Sequence, residues 1–296
     1  MGSSAANPPP FVSIVITVRH EAAHLPALLD SLLQQDPPFE IVLVDAESHD
    51  GTRAVVGRYA REHPGLIRYY EHPGSRGIGR NEGARLAQGT FLLFIDGDCI
   101  ADSDWLAQLR HALTETLVAA GRTIVVGRPA YANLERVELY QGGKDVTFPS
   151  CNLAYRRSLF LQLGGFDPRF ITAEDIDLNL RAVQAGAHIR YVPEAIVYHR
   201  MRPTWFRFLY QAFWNGYGRK QLTEKHGMLW GNYRYRRLLQ GQRSVLAWAR
   251  LAAAMTGYFT RVVTGGNRRL TGPAPVTLGT SVGASTPGDS ASRESS

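Results

Sequence analysis

Cysteine is nearly absent from this chain. Only Cys99 and Cys151 occur among 296 residues, and they form no CxxC pair. That scarcity excludes a disulfide-stapled scaffold and a thiolate zinc site, and it suits a reducing, cytoplasmic setting. Long apolar runs are also missing. A spanning helix needs about eighteen or more uninterrupted apolar residues, and the nearest approach, Val245 to Thr264, is broken by Arg250 and Arg261. Residues 1–10 are small, polar and proline-rich, which does not read as a secretory leader. Acidic residues are in deficit: Lys and Arg number 33 against 26 Asp and Glu, a formal charge of +7. An excess of that sign favours an anionic partner such as a nucleotide, a phosphorylated lipid or an anionic membrane. Nucleic acid is not expected as the partner, because no recognised binding module accompanies the charge.

Hydrophobic residues make up 44% of the chain, enough for one large α/β domain with extensions. Val12 to Val18 (VSIVITV) is rich in β-branched residues and reads as a buried strand. Leu25, Leu28, Leu29, Leu32 and Leu33 then recur at helical spacing, with Pro26 in the first turn. Further strands are expected at Glu40 to Asp45, Leu66 to Tyr70, Thr90 to Ile95 and Thr123 to Val126. Between them, helices are expected from Thr52 to Glu62, from Gly77 to Gln88 and from Trp105 to Ala119. Strands alternating with helices predict a mainly parallel sheet whose ligands bind beyond the carboxyl ends of the strands. Asp45 and Asp96 both fall at such ends.

The second half predicts a helix from Thr172 to Ala185 and strands at His188 to Val192 and Ala195 to Tyr198. An aromatic helix is expected from Pro203 to about Lys225 and an amphipathic one from Ser244 to Val263. Gly, Pro, Ser and Thr dominate the tail, which reads as unstructured. The expected organisation is a flexible segment 1–10, a nucleotide-binding catalytic domain 11–200, a helical extension 201–268 and a tail 269–296.

The strongest chemical signal is Asp96-Gly97-Asp98 after a hydrophobic strand. Two carboxylates one residue apart on a turn can offer oxygen ligands to Mg²⁺ or Mn²⁺, which share their shells with substrate phosphates. Taken alone, the same triplet also suits a polar turn. Glu174-Asp175 is similarly open: with Thr172 it suits a helix capping box, and it also suits a base that takes a proton from a hydroxyl.

Order along the chain narrows these readings. Val44-Asp45, Ser48 and Asp50-Gly51-Thr52 come first, then Gly79-Arg80-Asn81-Glu82-Gly83 with Ala87-Gln88-Gly89, then FLLFIDGDC. Asn152-Leu153-Ala154-Tyr155-Arg156-Arg157, Leu163-Gly164-Gly165-Phe166-Asp167 and Glu174-Asp175 follow. Over Val12 to His199 this series resembles the family-2 inverting glycosyltransferases of GT-A fold. The resemblance implies a nucleotide-sugar donor, UDP before GDP, and a divalent metal, Mn²⁺ or Mg²⁺. It implies that Asp45, Arg80, Asn81, Asp96, Gly97 and Asn152 contact the donor and that Asp98, with His199, holds the metal. It further implies that Asp175, with Glu174 beside it, is the general base. The family often has a second acid after the first; here that position is Ala46, which leaves the choice of base open. Arg200 and Arg202 could meet the diphosphate, because arginine pairs well with phosphate.

A nucleotidyltransferase would carry a glycine-rich basic loop after its first strand, whereas Thr17-Val18-Arg19-His20-Glu21 leads directly into a leucine helix. A non-catalytic nucleotide- or carbohydrate-binding module on the same fold would show substituted acids, and Asp45, Asp96, Asp98 and Asp175 are all present. The chain lacks the QxxRW motif of processive synthases, so a single transfer to a glycan, lipid-linked or small-molecule acceptor is expected. The two late helices carry enough apolar and aromatic residues for peripheral contact with the cytoplasmic membrane face.

Overall fold

In the computed structural model, the described residues are 11–127, 137–200, 204–227, 229–233 and 245–265. The expected segments 1–10 and 269–296, and Arg202, lie outside them. Among the described residues, ten strands and eight α-helices follow in the order β1 (Val12–Val18), α1 (Leu25–Leu33), β2 (Phe39–Asp45), α2 (Thr52–Glu62), β3 (Ile67–Glu71), α3 (Arg76–Leu86), β4 (Phe91–Asp96), β5 (Cys99–Ala101), α4 (Trp105–Glu115), β6 (Val118–Val126), β7 (Tyr140–Gln141), β8 (Lys144–Asp145), β9 (Leu153–Arg156), α5 (Arg157–Gln162), α6 (Glu174–Gln184), β10 (Ile189–Arg200), α7 (Trp205–His226) and α8 (Val245–Thr264). Eight strands form one mixed sheet in the order β3-β2-β1-β4-β9-β6-β10-β5, and β7 pairs with β8 separately. Strands β1 to β4 run parallel, with Val18 opposite Asp45 and Thr17 opposite Asp96. β9 is antiparallel to both β4 and β6, which turns β6 and β10 back into the direction of β4. The carboxyl ends of β1, β2, β4, β6 and β10 therefore share one edge.

Alternation along the strands builds a core on each face of the sheet. Ile14, Ile16, Leu93 and Ile95 pack against the leucines of α1 and against Trp105, Leu106 and Leu109 of α4. Val15, Leu92 and Phe94 face the other way, onto Tyr155, Phe160, Phe166 and Leu178. Each fully buried leucine or phenylalanine contributes about 1.5–3 kcal/mol, so the two layers fix strand register firmly. A third cluster, with Phe170, Ile176, Leu180 and Leu222, ties α7 to α6. Helix α3 comes unusually close to the sheet because Gly83 has no side chain. A Cβ there would lie 2.5 Å from Val15 Cγ1, so any other residue would push the helix away.

The structure corrects several expectations. The helix expected to run to Ala119 ends at Glu115, and Val118 to Ala120 belong to β6, wedged between β9 and β10. Burial in the sheet centre outweighs the helical propensity of those alanines. The two strands expected around Pro193 are one strand, β10, whose register shifts between Val192 and Ile196. A shift of that kind accommodates a proline that cannot donate to the ladder. Thr172 caps nothing: α6 starts after Ala173, which sits in the left-handed region at φ 66°.

Candidate active site

The shared carboxyl edge collects the acids singled out from sequence. Asp45 ends β2 and is buried; its Oδ1 accepts bonds from Ser48 N (3.0 Å) and Ser48 Oγ (2.6 Å), and its Oδ2 accepts from Tyr69 Oη (2.9 Å). Asp96 ends β4 and Asp98 follows the turn, with Gly97 between them. Gly97 is required by space, since a Cβ would lie 2.8 Å from Val18 Cγ1 and 3.1 Å from Glu21 Cγ.

The centre of the site is Arg80. It is only 1% exposed, and its guanidinium donates to Asp96 Oδ1 at 2.6 Å and to Glu174 Oε1 at 2.8 Å. Its Cζ also lies 5.5 Å from the centre of the Phe166 ring. One planar cation thus ties the β4 turn to the start of α6, two motifs far apart in sequence. Burial alone would favour the neutral guanidine, but the charges of Asp96 and Glu174 raise its pKa above its ordinary value. Burial likewise pushes the Asp96 carboxyl up, while the charges of Arg80, Arg76 and His199 hold it below the usual carboxylate range.

Asp175 behaves oppositely. Its Oδ1 accepts from Ile176 N (2.8 Å) and its Oδ2 from Ser150 N (3.1 Å). Burial and the neighbouring Glu174 charge nevertheless raise its pKa to about 6, against the lowering effects of Arg80 and those two amides. A carboxyl raised in this way beside a second carboxylate that bonds Arg80 is suited to accept a proton. Behind them, Asp177 bonds Arg181, Lys225 and His226, and Lys225 also reaches Asp167 at 2.7 Å. This buried network clamps α7 to α6. Nothing in the sequence marked Asp177, Lys225 or His226, because their partners lie on a helix almost fifty residues away.

Asp98 and His199 meet across the β5–β10 pairing. His199 Nε2 lies 3.2 Å from Asp98 Oδ1, and Asp98 O accepts from Arg200 N at 3.2 Å. Burial would lower the His199 pKa, but its bond to Asp98 and the charges of Cys151, Asp98 and Asp96 raise it to about 9. Asp98, Cys99 and His199 each place a ligand atom within 4.8 Å of the others. A carboxylate and an imidazole, with substrate oxygens to complete the shell, suit Mn²⁺. Cys99 does not join them as a hard-ion ligand: its bond to Cys151 and its burial push the thiol strongly up, so it stays protonated.

Three expected donor contacts have other work in this structure. Arg80 lies between its two carboxylates, almost wholly buried. The Asn81 amide donates to Phe166 O (2.7 Å) and accepts from Phe166 N (2.8 Å), pinning the Gly164-Gly165 turn. Asn152 is fully buried; it accepts from Trp105 Nε1 and donates to Arg122 O and Ala195 O. These bonds tie α3 to the 164–166 turn, and the Ser150–Asn152 turn to α4 and the sheet. Tyr69, which sequence reasoning missed, sits on the Asp45 carboxylate, and no local pattern announced it.

An edge of acids on a mixed α/β sheet, with a histidine facing the second acid of an Asp-x-Asp turn, fits the GT-A fold. The profile of Glycosyl transferase family 2 matches residues 13–166, and that of Glycosyl transferase family group 2 matches residues 91–283. The chain belongs to glycosyl transferase family 2 and is a glycosyltransferase. It is 27% identical over 210 residues to glycosyltransferase AglE of Haloferax volcanii, covering 66% of this chain and 68% of that protein. It is 30% identical over 214 residues to the pre-mycofactocin glycosyltransferase of Mycobacterium tuberculosis, but there the match spans only 43% of the relative. The fold is shared with mannosyltransferase PcManGT of Pyrobaculum calidifontis, solved with GDP-Man and Mn²⁺, at a TM-score of 0.61 and 21% identity over 88% of this chain and 77% of that one. TarS of S. aureus with UDP-GlcNAc matches at a TM-score of 0.59 and 21% identity, over 85% and 74%.

Proposed function

We propose that this chain moves a single sugar from a UDP-sugar to an acceptor hydroxyl, with inversion and with help from a divalent ion held by Asp98 and His199. The observation that carries the reading is the Arg80 bridge. It brings the Asp96-Gly97-Asp98 turn and the Glu174-Asp175 pair to one place, where the Asp175 pKa is raised to about 6. A base with a pKa just under neutral is mostly ionised in the cell yet still basic enough to take a hydroxyl proton. In this reading Asp175 Oδ accepts that proton as the acceptor oxygen bonds to the anomeric carbon. The bond from that carbon to the diphosphate oxygen breaks on the opposite face, which inverts the centre. A bound divalent ion would neutralise charge on the departing diphosphate. In this reading Asp45 would accept from the nucleobase and Asp96 would approach the ribose. The neighbours with GDP-Man and with UDP-GlcNAc keep both nucleotide classes in view. The catalytic unit is residues 11–200, and 201–268 form the extension.

The test is thermal stabilisation by UDP-, GDP- and dTDP-sugars, with and without Mn²⁺, on wild type and Asp98→Ala. A ligand that binds only the folded state raises the melting temperature by mass action. A Mn²⁺-dependent rise with one nucleotide, lost in Asp98→Ala, is expected. No rise with any nucleotide sugar would overturn the proposal.

A further inference from the structure

The outward side of α8 is uncharged along its whole length. Val245, Trp248, Ala252, Met255, Thr256, Phe259, Val262, Val263 and Thr264 are its exposed positions, and all but the two threonines are apolar. Val245 is 86% exposed and Val263 82%. These positions recur at helical spacing, so they form one stripe about 30 Å long at 1.5 Å per residue. The two charges of the helix are withdrawn from it. Arg261 turns inward to Glu224 at 2.8 Å and to Tyr217 Oη at 3.1 Å, and Arg250 is part-buried.

Helix α7 extends the surface. The helices run parallel, since Arg261 reaches both Tyr217 and Glu224 and Lys220 Nζ lies 5.8 Å from the centre of the Tyr258 ring, and they pack very tightly: a Cβ on Gly216 would strike Ala254 O, and one on Gly257 would strike Phe213 O. That register brings the first turn of α7 beside the first turn of α8. Trp205, Phe206 and Tyr210, all exposed, therefore share one end of the helix pair with Val245 and Trp248. Among the described residues no helix is long and apolar enough to cross a membrane. A stripe of this kind lies in an interface instead, with Trp and Tyr at headgroup level.

The sequence around α8 identifies the charge of what covers it. No Asp or Glu occurs from Lys225 to Gly288, whereas Arg234, Arg236, Arg237 and Arg243 precede the helix and Arg268 and Arg269 follow it. A second copy of the chain would set these arginines against each other, but an anionic surface would attract them. We propose that the α7–α8 helix pair docks the protein on an anionic lipid surface, with α8 lying in the plane of the headgroups. Helix α7 starts five residues beyond Arg200, at the end of the strand that carries His199, and Gly218 packs on Thr172, just before Glu174. The docked pair thus sets the site edge next to the bilayer. Resting on the transferase reading, this makes a membrane-borne acceptor the substrate class within reach.

Flotation of the full chain with phosphatidylcholine vesicles, with and without phosphatidylglycerol, tests the docking. Binding to the phosphatidylglycerol vesicles is expected to be at least about tenfold stronger and to weaken with salt. The triple variant Trp248→Glu, Phe259→Glu, Val263→Glu should lose it, as should the single Val263→Glu, which disturbs the fold least. Melting shifts with nucleotide sugars on the same variants report donor binding separately, so a failed docking and a failed donor site are told apart. No flotation, equal binding to both vesicle types, binding unchanged in the variants, or a solution dimer abolished by Val263→Glu would each overturn the proposal.

Discussion

Replacing Asp175 with Asn separates catalysis from stability in a way that can be worked out in advance. In the folded protein the Asp175 pKa is raised from an ordinary 3.8 to about 6. A carboxyl raised in this direction contributes its full stability below the unfolded pKa and loses it as pH rises through the folded one. Ionising Asp175 therefore costs the wild type up to about 3 kcal/mol between about pH 4 and pH 6, at about 1.4 kcal/mol per tenfold. Asn has no such loss. It carries a pH-independent penalty instead, because its amide oxygen can serve only one of the Ser150 and Ile176 N–H groups; leaving the other unpaired costs about 1–2 kcal/mol. The variant should be less stable than wild type near pH 4 and equal or slightly more stable near pH 7. Urea unfolding across that range measures the difference. Transfer activity should fall about 10²–10⁴-fold, and the wild-type kcat/KM should decline below about pH 6. A stability difference that stays constant from pH 4 to 7, or a variant that keeps most of its activity, would refute the argument.

Arg80→Met should cost about 3–5 kcal/mol, because it leaves Asp96 and Glu174 buried and uncompensated; thermal melts should show part of the loss recovered at acid pH as the carboxyls protonate. Gly97→Ala should cost about 1–3 kcal/mol through its clash with Val18, and isothermal titration should show weaker Mn²⁺-dependent nucleotide binding as the Asp98 turn is displaced. Asn152→Leu should cost about 2–4 kcal/mol, since Trp105 Nε1–H and two carbonyls lose their partner. Its folded fraction should bind donor as wild type does, which separates a scaffold residue from a donor ligand.

Much of the catalytic half was legible because its signals are local. The β-branched run at Val12–Val18, the leucine spacing of α1 and the strand-end acids Asp45 and Asp96 each depend only on near neighbours. The resemblance in motif order then led to the family. What escaped depends on distant partners. β9 lies between β4 and β6 only because Leu153 to Arg156 find partners on strands roughly sixty and thirty-five residues earlier. The antiparallel β5 exists only because Cys99 to Ala101 pair with Val197 to His199. Arg80, Asn81 and Asn152 meet buried partners that no local pattern announces, because residue type shows what a side chain can bind while folding decides what stands next to it.

The sequence by itself determined the alternating strand and helix pattern, the chemical kind of the site and the basic, acid-free stretch around α8. Those properties follow from backbone periodicity, side-chain chemistry and charge, which travel with the residues. Tertiary structure alone decided that Arg80 spends its charge inside the protein, that burial beside Glu174 raises the Asp175 pKa to about 6, and that α8 turns its apolar side outward. Each of these depends on which groups are excluded from water and which charges stand within a few ångströms, and only the folded chain sets those distances.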